Sequence, residues 1–246
     1  SAVGGTGAVI KGVCTNVGVG AGGTTSSQNI TVDVLVTYVP PAELISALTS
    51  GTWRVSRDES GHIGVGAGLN ADNSAGASNV GAVLPWWWGA GALEKQETGI
   101  YDDSYTFSEW NPSSGKGKFS FNVGPDASIF GKEEPCKNNL GGDRGATSTG
   151  EPNYEYNYYP YENYEVEFTI VPFTGYWDWD QDGTYADGSD YKEIYPGEKI
   201  VFSGTGFMGF YVGAHEFFIW ERSDTRIRYS GIGWDGNSWH GIITKD

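Results

Sequence analysis

Period-two alternation of apolar and polar residues, in short segments, is the pattern that most restricts what this chain can fold into. It recurs at Tyr105-Thr106-Phe107, at Lys118-Phe119-Ser120-Phe121-Asn122-Val123 and at Glu165-Val166-Glu167-Phe168-Thr169-Ile170-Val171. Successive side chains of a strand point to opposite faces, so each segment reads as a strand with one buried face. Asn111 to Gly117 reads as the turn of a hairpin between the first two. Lys199 to Phe202, Phe207 to Val212, Phe217 to Glu221, Arg226 to Tyr229 and Trp239 to Thr244 continue as a C-terminal meander, and Trp53-Arg54-Val55 opens another strand. The 38 glycines supply the turns between such segments. Helical periodicity is confined to a short turn at Ala42 to Leu48 and a short helix within Trp86 to Gln96. The fold class expected is all-β. Antiparallel strands joined by short turns bury their faces as a two-sheet sandwich or as a closed barrel. A jelly-roll-like β-sandwich is the first expectation and a lipocalin-like barrel the alternative, because strand spacing does not separate them.

Charge divides the chain. Residues 1–40 hold only Lys11 and Asp33 as charged residues, and Ile30 to Val39 reads as a terminal strand stopped by Pro40-Pro41. Residues 1–41 are therefore expected to be the C-terminal strands of an immunoglobulin-like domain, and residues 42–246 a larger β domain. The formal net charge of −16 opposes phosphate backbones and anionic bilayers, so nucleic acid is not an expected partner. No apolar run reaches the roughly 18 residues of a membrane helix. No secretory leader is read, and a mature, exported chain is expected. Cys14 and Cys136 fall in segments that read as separate domains, so a bridge between them is not expected.

Five constellations are candidates to carry chemistry. Trp86-Trp87-Trp88 cannot all face one core, since neighbours on a strand alternate and on a helix spread about 100° apart. At least one indole must reach the surface, where its apolar face matches the C–H face of a sugar ring. The alternative is that all three are wedged under the Gly/Asn/Ser-rich stretch from Gly61 to Ala82. Glu94, Lys95, Tyr101, Asp102 and Asp103 follow, with carboxylates suited to accepting from paired hydroxyls. The same carboxylates, with Glu97, also fit glycoside hydrolysis if two stand about 5–10 Å apart. Tyr154 to Tyr164 concentrates tyrosine, either as a sugar-facing strip or as cover for a sheet face. Trp177-Asp178-Trp179-Asp180-Gln181-Asp182-Gly183 carries Asp178, Asp180 and Asp182 at the spacing of a calcium loop, with Gly183 for the sharp turn. Its twelfth position is Ser189, so the closing bidentate carboxylate is missing; a structural Ca²⁺ is expected, a solvated acidic turn being the alternative. Trp234-Asp235-Gly236-Asn237-Ser238-Trp239 reads as a turn with one Trp in the core. His62, His215 and His240 lack metal-ligand spacing and are expected to be structural.

Residues from 42 onward resemble the glycan-binding lipoprotein modules of Bacteroidetes polysaccharide utilisation loci, which follow a PKD or immunoglobulin-like domain. The resemblance is carried by Thr52-Trp53, Gly61-His62-Ile63-Gly64-Val65-Gly66, Trp86-Trp87, Glu94-Lys95, Thr98 to Asp103, Tyr105 to Phe107, Gly206 to Gly213 and Phe217 to Trp220. It implies a protein held at the outer membrane by a lipidated cysteine, with β-glucan as the ligand class and an outer-membrane glycan transporter as partner. It transfers no catalytic pair. The expected function is non-catalytic polysaccharide binding through Trp86, Trp87, Trp88, Trp177 and Trp179. A β-glucan hydrolase and a structural or adhesion module are the rivals.

Overall fold

The computed structural model describes residues 38–66, 87–147, 155–177 and 193–245, with side chains of 173–177, 193–196 and 147 not described. The chain divides between Val39 and Pro40 into two compact units. The immunoglobulin-like strands expected before residue 41 lie outside the described residues.

The elements run in chain order as α1 (Ala42–Thr49), β1 (Thr52–Val55), β2 (Ile63–Gly66), β3 (Trp88–Gly89), β4 (Ser104–Asn111), β5 (Lys116–Asn122), β6 (Ile129–Lys132), α2 (Glu133–Asn139), β7 (Ala146–Thr147), β8 (Glu155–Tyr158), β9 (Tyr164–Trp177), β10 (Glu193–Phe202), β11 (Glu216–Arg222), β12 (Arg226–Ile232) and β13 (Ser238–Lys245). The large sheet has the order β1-β4-β5-β9-β10-β11-β12-β13, and β13 pairs back onto β1. All of these pairings are antiparallel. The result is a closed eight-stranded antiparallel barrel. The sandwich expectation is thereby corrected. The physical reason lies in β13, whose C-terminal residues Ile243 to Lys245 bond β1 while Ser238 to Gly241 bond β2 along the same edge. Neither β1 nor β13 is left as a free edge, whereas a sandwich has edges on both sheets.

The register places one set of side chains inside. Trp53 faces Tyr105, Tyr105 faces Phe121, Phe107 faces Phe119, Phe168 faces Phe202, Ile200 faces Phe217, and Ile227 faces Ile243. These are the buried residues, with Trp53, Tyr105, Phe119, Phe121 and Phe168 fully excluded from solvent. The rings interlock: Phe119 and Phe202 have centroids 4.3 Å apart, and Phe107 meets Phe168 edge-on at 5.1 Å. Glycines make room for them. A Cβ on Gly117 would come within 2.4 Å of the Phe168 ring, and one on Gly241 within 2.3 Å of Tyr229. The interior is a packed aromatic core rather than a calyx.

The Phe207 to Val212 segment, expected as a strand, is a loop inserted into one end of the barrel. Its Phe207 N–H donates to Tyr164 Oη at 3.2 Å and its Gly209 N–H to Tyr105 Oη at 3.1 Å. Buried hydroxyls thus satisfy backbone groups that have no ladder. Tyr211 ties this loop to a second, three-stranded sheet (β6-β8-β7) through its N–H to Phe130 O and its carbonyl from Lys132 N–H, both 2.9 Å. Trp86 lies outside the described residues, and the short helix expected between it and Gln96 is instead β3 followed by turns. Glycines at 89 and 91 interrupt a helix there.

Gly241→Ala is expected to lower unfolding free energy by about 1–3 kcal/mol, the usual cost of overpacking. A urea titration of the variant with an unchanged m-value checks this.

Candidate functional site

Beyond the barrel, β2 and β3 extend the sheet from β13. Trp88 pairs with Val65, and Val65 with Trp239, so these three share one face. Trp87 comes directly before Trp88; its N–H donates to Val65 O at 3.2 Å and its side chain is 59 % exposed. Of the two described indoles of the run, Trp88 is half-buried and Trp87 is exposed.

Trp88 is held by a charge. Lys95 Nζ sits 5.1 Å from the Trp88 ring centroid and donates to Glu155 Oε2 at 2.9 Å and Oε1 at 3.2 Å. Both partners are buried, at 7 % and 8 % side-chain exposure, and Glu94 Oε1 stands 3.7 Å from the same ammonium. The turn that carries Lys95 is pinned locally. Gly91 N–H donates to Glu94 Oε2 at 2.6 Å, and Leu93 N–H donates to Arg57 O at 2.7 Å. Lys95 N–H donates to Tyr101 Oη at 3.1 Å, and Tyr101 Oη lies 2.7 Å from His62 Nε2. His62 Nδ1 is 2.6 Å from Glu59 O, and a carbonyl only accepts, so Nδ1 carries the proton and Nε2 accepts from Tyr101. Burial lowers the His62 pKa, which keeps this neutral tautomer. Glu94, Lys95 and Tyr101 are thus brought together beneath Trp88, with the Lys95 cation engaged by Glu155 rather than presented to solvent.

Asp102 and Asp103 stand elsewhere, at the start of β4. Asp103 is 1 % exposed; its Oδ1 accepts from Gly124 N–H at 3.1 Å, while Oδ2 is buried with no partner among the described residues. Burial pushes its carboxyl up to about 9, with Asp102 and Asp126 adding to the shift. Arg54 stabilises the turn through the carbonyls of Asp102 and Asp103, at 2.9 and 3.2 Å. Burial also raises Asp102, whose carboxyl fills the space a Cβ on Gly124 would occupy.

Trp177 ends β9 opposite Glu193, and its side chain is not described. Trp179 and the expected calcium ligands Asp178, Asp180 and Asp182 lie outside the described residues. Among the described residues no three His, Cys, Asp or Glu side chains are placed to hold a metal ion. Cys136 is a free, buried thiol. A solvent-open groove of about 480 Å³ crosses the outer face of β4, β5 and β9, lined by Glu109, Asn111, Lys116, Lys118, Glu165 and Glu167. Its charges pair with one another, Lys116 with Glu167 at 2.6 Å and Lys118 with Glu109 at 2.7 Å, and no expected site residue lines it.

Sequence reasoning missed Glu155. It sits among tyrosines whose own signal dominates that segment, and its partner is 60 residues away, so no local pattern marks it.

Lys95→Met is expected to cost about 3–5 kcal/mol, because it strands the Glu155 carboxylate in the interior. Adding Glu155→Leu should recover most of that loss; denaturant unfolding of the single and double variants reads both. Asp103 sets a pH dependence. The folded state keeps its proton up to about 9, while an unfolded aspartate releases it near 3.8. The unfolded state therefore binds fewer protons across this interval, and stability falls as pH rises, by up to about 1.4 kcal/mol per unit. His240, pushed down to about 3 by burial, acts below its ordinary value of 6.5, so the interval from 6.5 to 9 isolates Asp103. Thermal melts of Asp103→Asn should show that slope flattened and stability at pH 8 raised.

The chain matches no protein-family model and no curated protein, which leaves its own residues as the ground for a function.

Proposed function

We propose that this protein binds polysaccharide without cleaving it, using Trp87 as a stacking platform. The observation that carries the reading is the 59 % exposure of an indole whose backbone is bonded to β2 and whose neighbour is clamped by a buried ion pair. With the backbone beneath the ring fixed to β2, little main-chain entropy is lost when a sugar stacks on it. Glu94, exposed beside Lys95, supplies a carboxylate for hydroxyls. The packed barrel interior favours a surface site over an enclosed one. The resemblance to glycan-binding lipoprotein modules points to β-glucan, to a cell-surface location at the outer membrane, and to a glycan transporter as partner. A Ca²⁺ held by Asp178, Asp180 and Asp182 would fix Trp177 and Trp179 as a further aromatic element.

The hydrolase reading draws on Glu94, Glu97, Asp102 and Asp103. A general acid must reach the glycosidic oxygen. Asp103, the carboxyl that burial holds protonated at neutral pH, is 1 % exposed, which favours binding over cleavage.

Affinity gel electrophoresis against laminarin, barley β-glucan, xylan and hydroxyethyl cellulose, with and without EDTA, tests the reading. Retardation by a β-glucan is expected, with no reducing-sugar release. Trp87→Ala should weaken binding at least about tenfold, equivalent to about 1.4 kcal/mol, with an unchanged melting temperature. Absence of retardation by all four polysaccharides would overturn the reading in favour of a structural module.

A further inference from the structure

We infer that Trp234 forms a second sugar-stacking subsite, apart from Trp87, so that one polysaccharide is gripped at two places. This rests on the polysaccharide-binding reading above and extends it to valency.

Trp234 lies in the turn between β12 and β13 and is 40 % exposed. It is one of two exposed tryptophans among the described residues, the other being Trp87. The turn beneath it is fixed. Gly233 N–H donates to Asn237 O and Gly236 N–H to Gly233 O, both at 2.9 Å. Asp235 accepts from Asn237 N–H at 3.1 Å and from the Asn237 amide at 2.8 Å. Gly236 takes the left-handed φ of 77° that closes the turn. Trp234 N–H donates to Val212 O at 2.9 Å, which anchors its backbone to the loop that fills the barrel end.

The ring is fixed as well. It lies nearly parallel to Trp239, 25° between planes and 6.4 Å between centroids. Trp239 is itself buried, with Lys132 Nζ 5.1 Å from its centroid and its indole N–H donated to Asp235 at 3.1 Å. The Trp234 indole N–H donates to Glu134 Oε2 on α2 at 2.9 Å. A ring stacked on one side and tethered at its nitrogen can offer solvent only its remaining face. Glu134 is exposed, and its other oxygen has no partner among the described residues. An apolar ring face with a carboxylate oxygen at its edge is the pairing that takes the C–H face and the hydroxyls of a pyranose together. A neutral polyol also suits a surface of net charge −16 better than an acidic peptide does.

The two platforms are separate. Trp88, Val65 and Trp239 share a face, and Trp234 lies against Trp239 on that side, next to α2. Trp87 precedes β3, with its N–H donating to Val65 O of β2 at 3.2 Å. Two strand spacings, about 10 Å, separate β3 from β13, and Trp234 lies in the turn before β13, so a disaccharide seated on one ring does not span to the other. A long chain can engage both, and linked sites raise apparent affinity without new contacts at either.

The experiment compares wild type, Trp87→Ala, Trp234→Ala, Trp234→Phe and the double Ala variant. Each is run in affinity gels against the four polysaccharides named above and titrated calorimetrically with a disaccharide of the one that retards wild type most. Trp234→Ala should weaken polysaccharide binding about tenfold or more and reduce disaccharide stoichiometry from two to one. The constant at the remaining site should stay within about twofold, and Trp234→Phe, which keeps an aromatic face, should retain both sites. Equal polysaccharide affinity and a stoichiometry of one in both wild type and Trp234→Ala overturn the second subsite while leaving Trp87 in place. Loss of stoichiometry in Trp234→Ala together with a lowered melting temperature, rescued in neither respect by Trp234→Phe, also overturns it. No retardation of wild type by any of the four removes the polysaccharide reading and this one with it.

Discussion

The ladder between β1 and β13 is the interaction on which the rest of the structure depends. Trp53 opposite Lys245 and Val55 opposite Ile243 turn an open meander into a ring. Because the pairing joins the first strand to the last, it carries the largest loop-closure cost in the sheet, and interior packing must offset it. Closure fixes which side of every strand is inside. It also leaves the N-terminal half of β13 to build outward through β2 and β3. The surface that carries Trp87 and Trp88 exists because one strand serves two purposes along its length.

The aromatic interior then decides where ligands can go. Phenylalanine and tyrosine rings fill the space that a wider or less bulky barrel would leave open. The loop carrying Phe207 and Tyr211 adds further rings at one end. The polysaccharide site proposed above is therefore an outer one, where aromatic side chains are costly to expose and need rigid support. Trp88 has that support from Lys95 and Glu155, and Trp234 from Trp239 and Glu134. Buried ion pairs contribute little net stability, since desolvation consumes the attraction. Their value here is positional: the Lys95–Glu155 pair joins the β3 turn to the small sheet.

Asp103 and His240 show the opposite side of burial. Each is buried in its neutral form, one with its proton and one without, and each makes the fold sensitive to pH in a different direction. Asp103 Oδ1 still accepts from Gly124 N–H and so orders the turn before β4. Its other oxygen, buried and unpaired, weakens the fold. A carboxyl so enclosed has a structural effect and no access to a polymer.

By itself the sequence determined the eight segments that become the barrel strands, their inward and outward sides, and the exposure of at least one tryptophan of the Trp86 to Trp88 run, but not β2, β3 or the sheet of β6, β7 and β8. These follow from short-range rules, because alternation at period two is a property of neighbours in the chain. Phe119 and Phe121 were legible as core in this way, as was the turn at Gly236. Tertiary structure alone decided closure over sandwich, since both outcomes bury the same faces. It alone made Phe207 to Val212 a plug, by giving its backbone N–H groups to Tyr105 and Tyr164 in place of a ladder. It alone brought Glu155 to Lys95 and enclosed Asp103. Those contacts depend on which distant segments meet in space, and an ion pair or a burial across such distances leaves no local pattern in the chain.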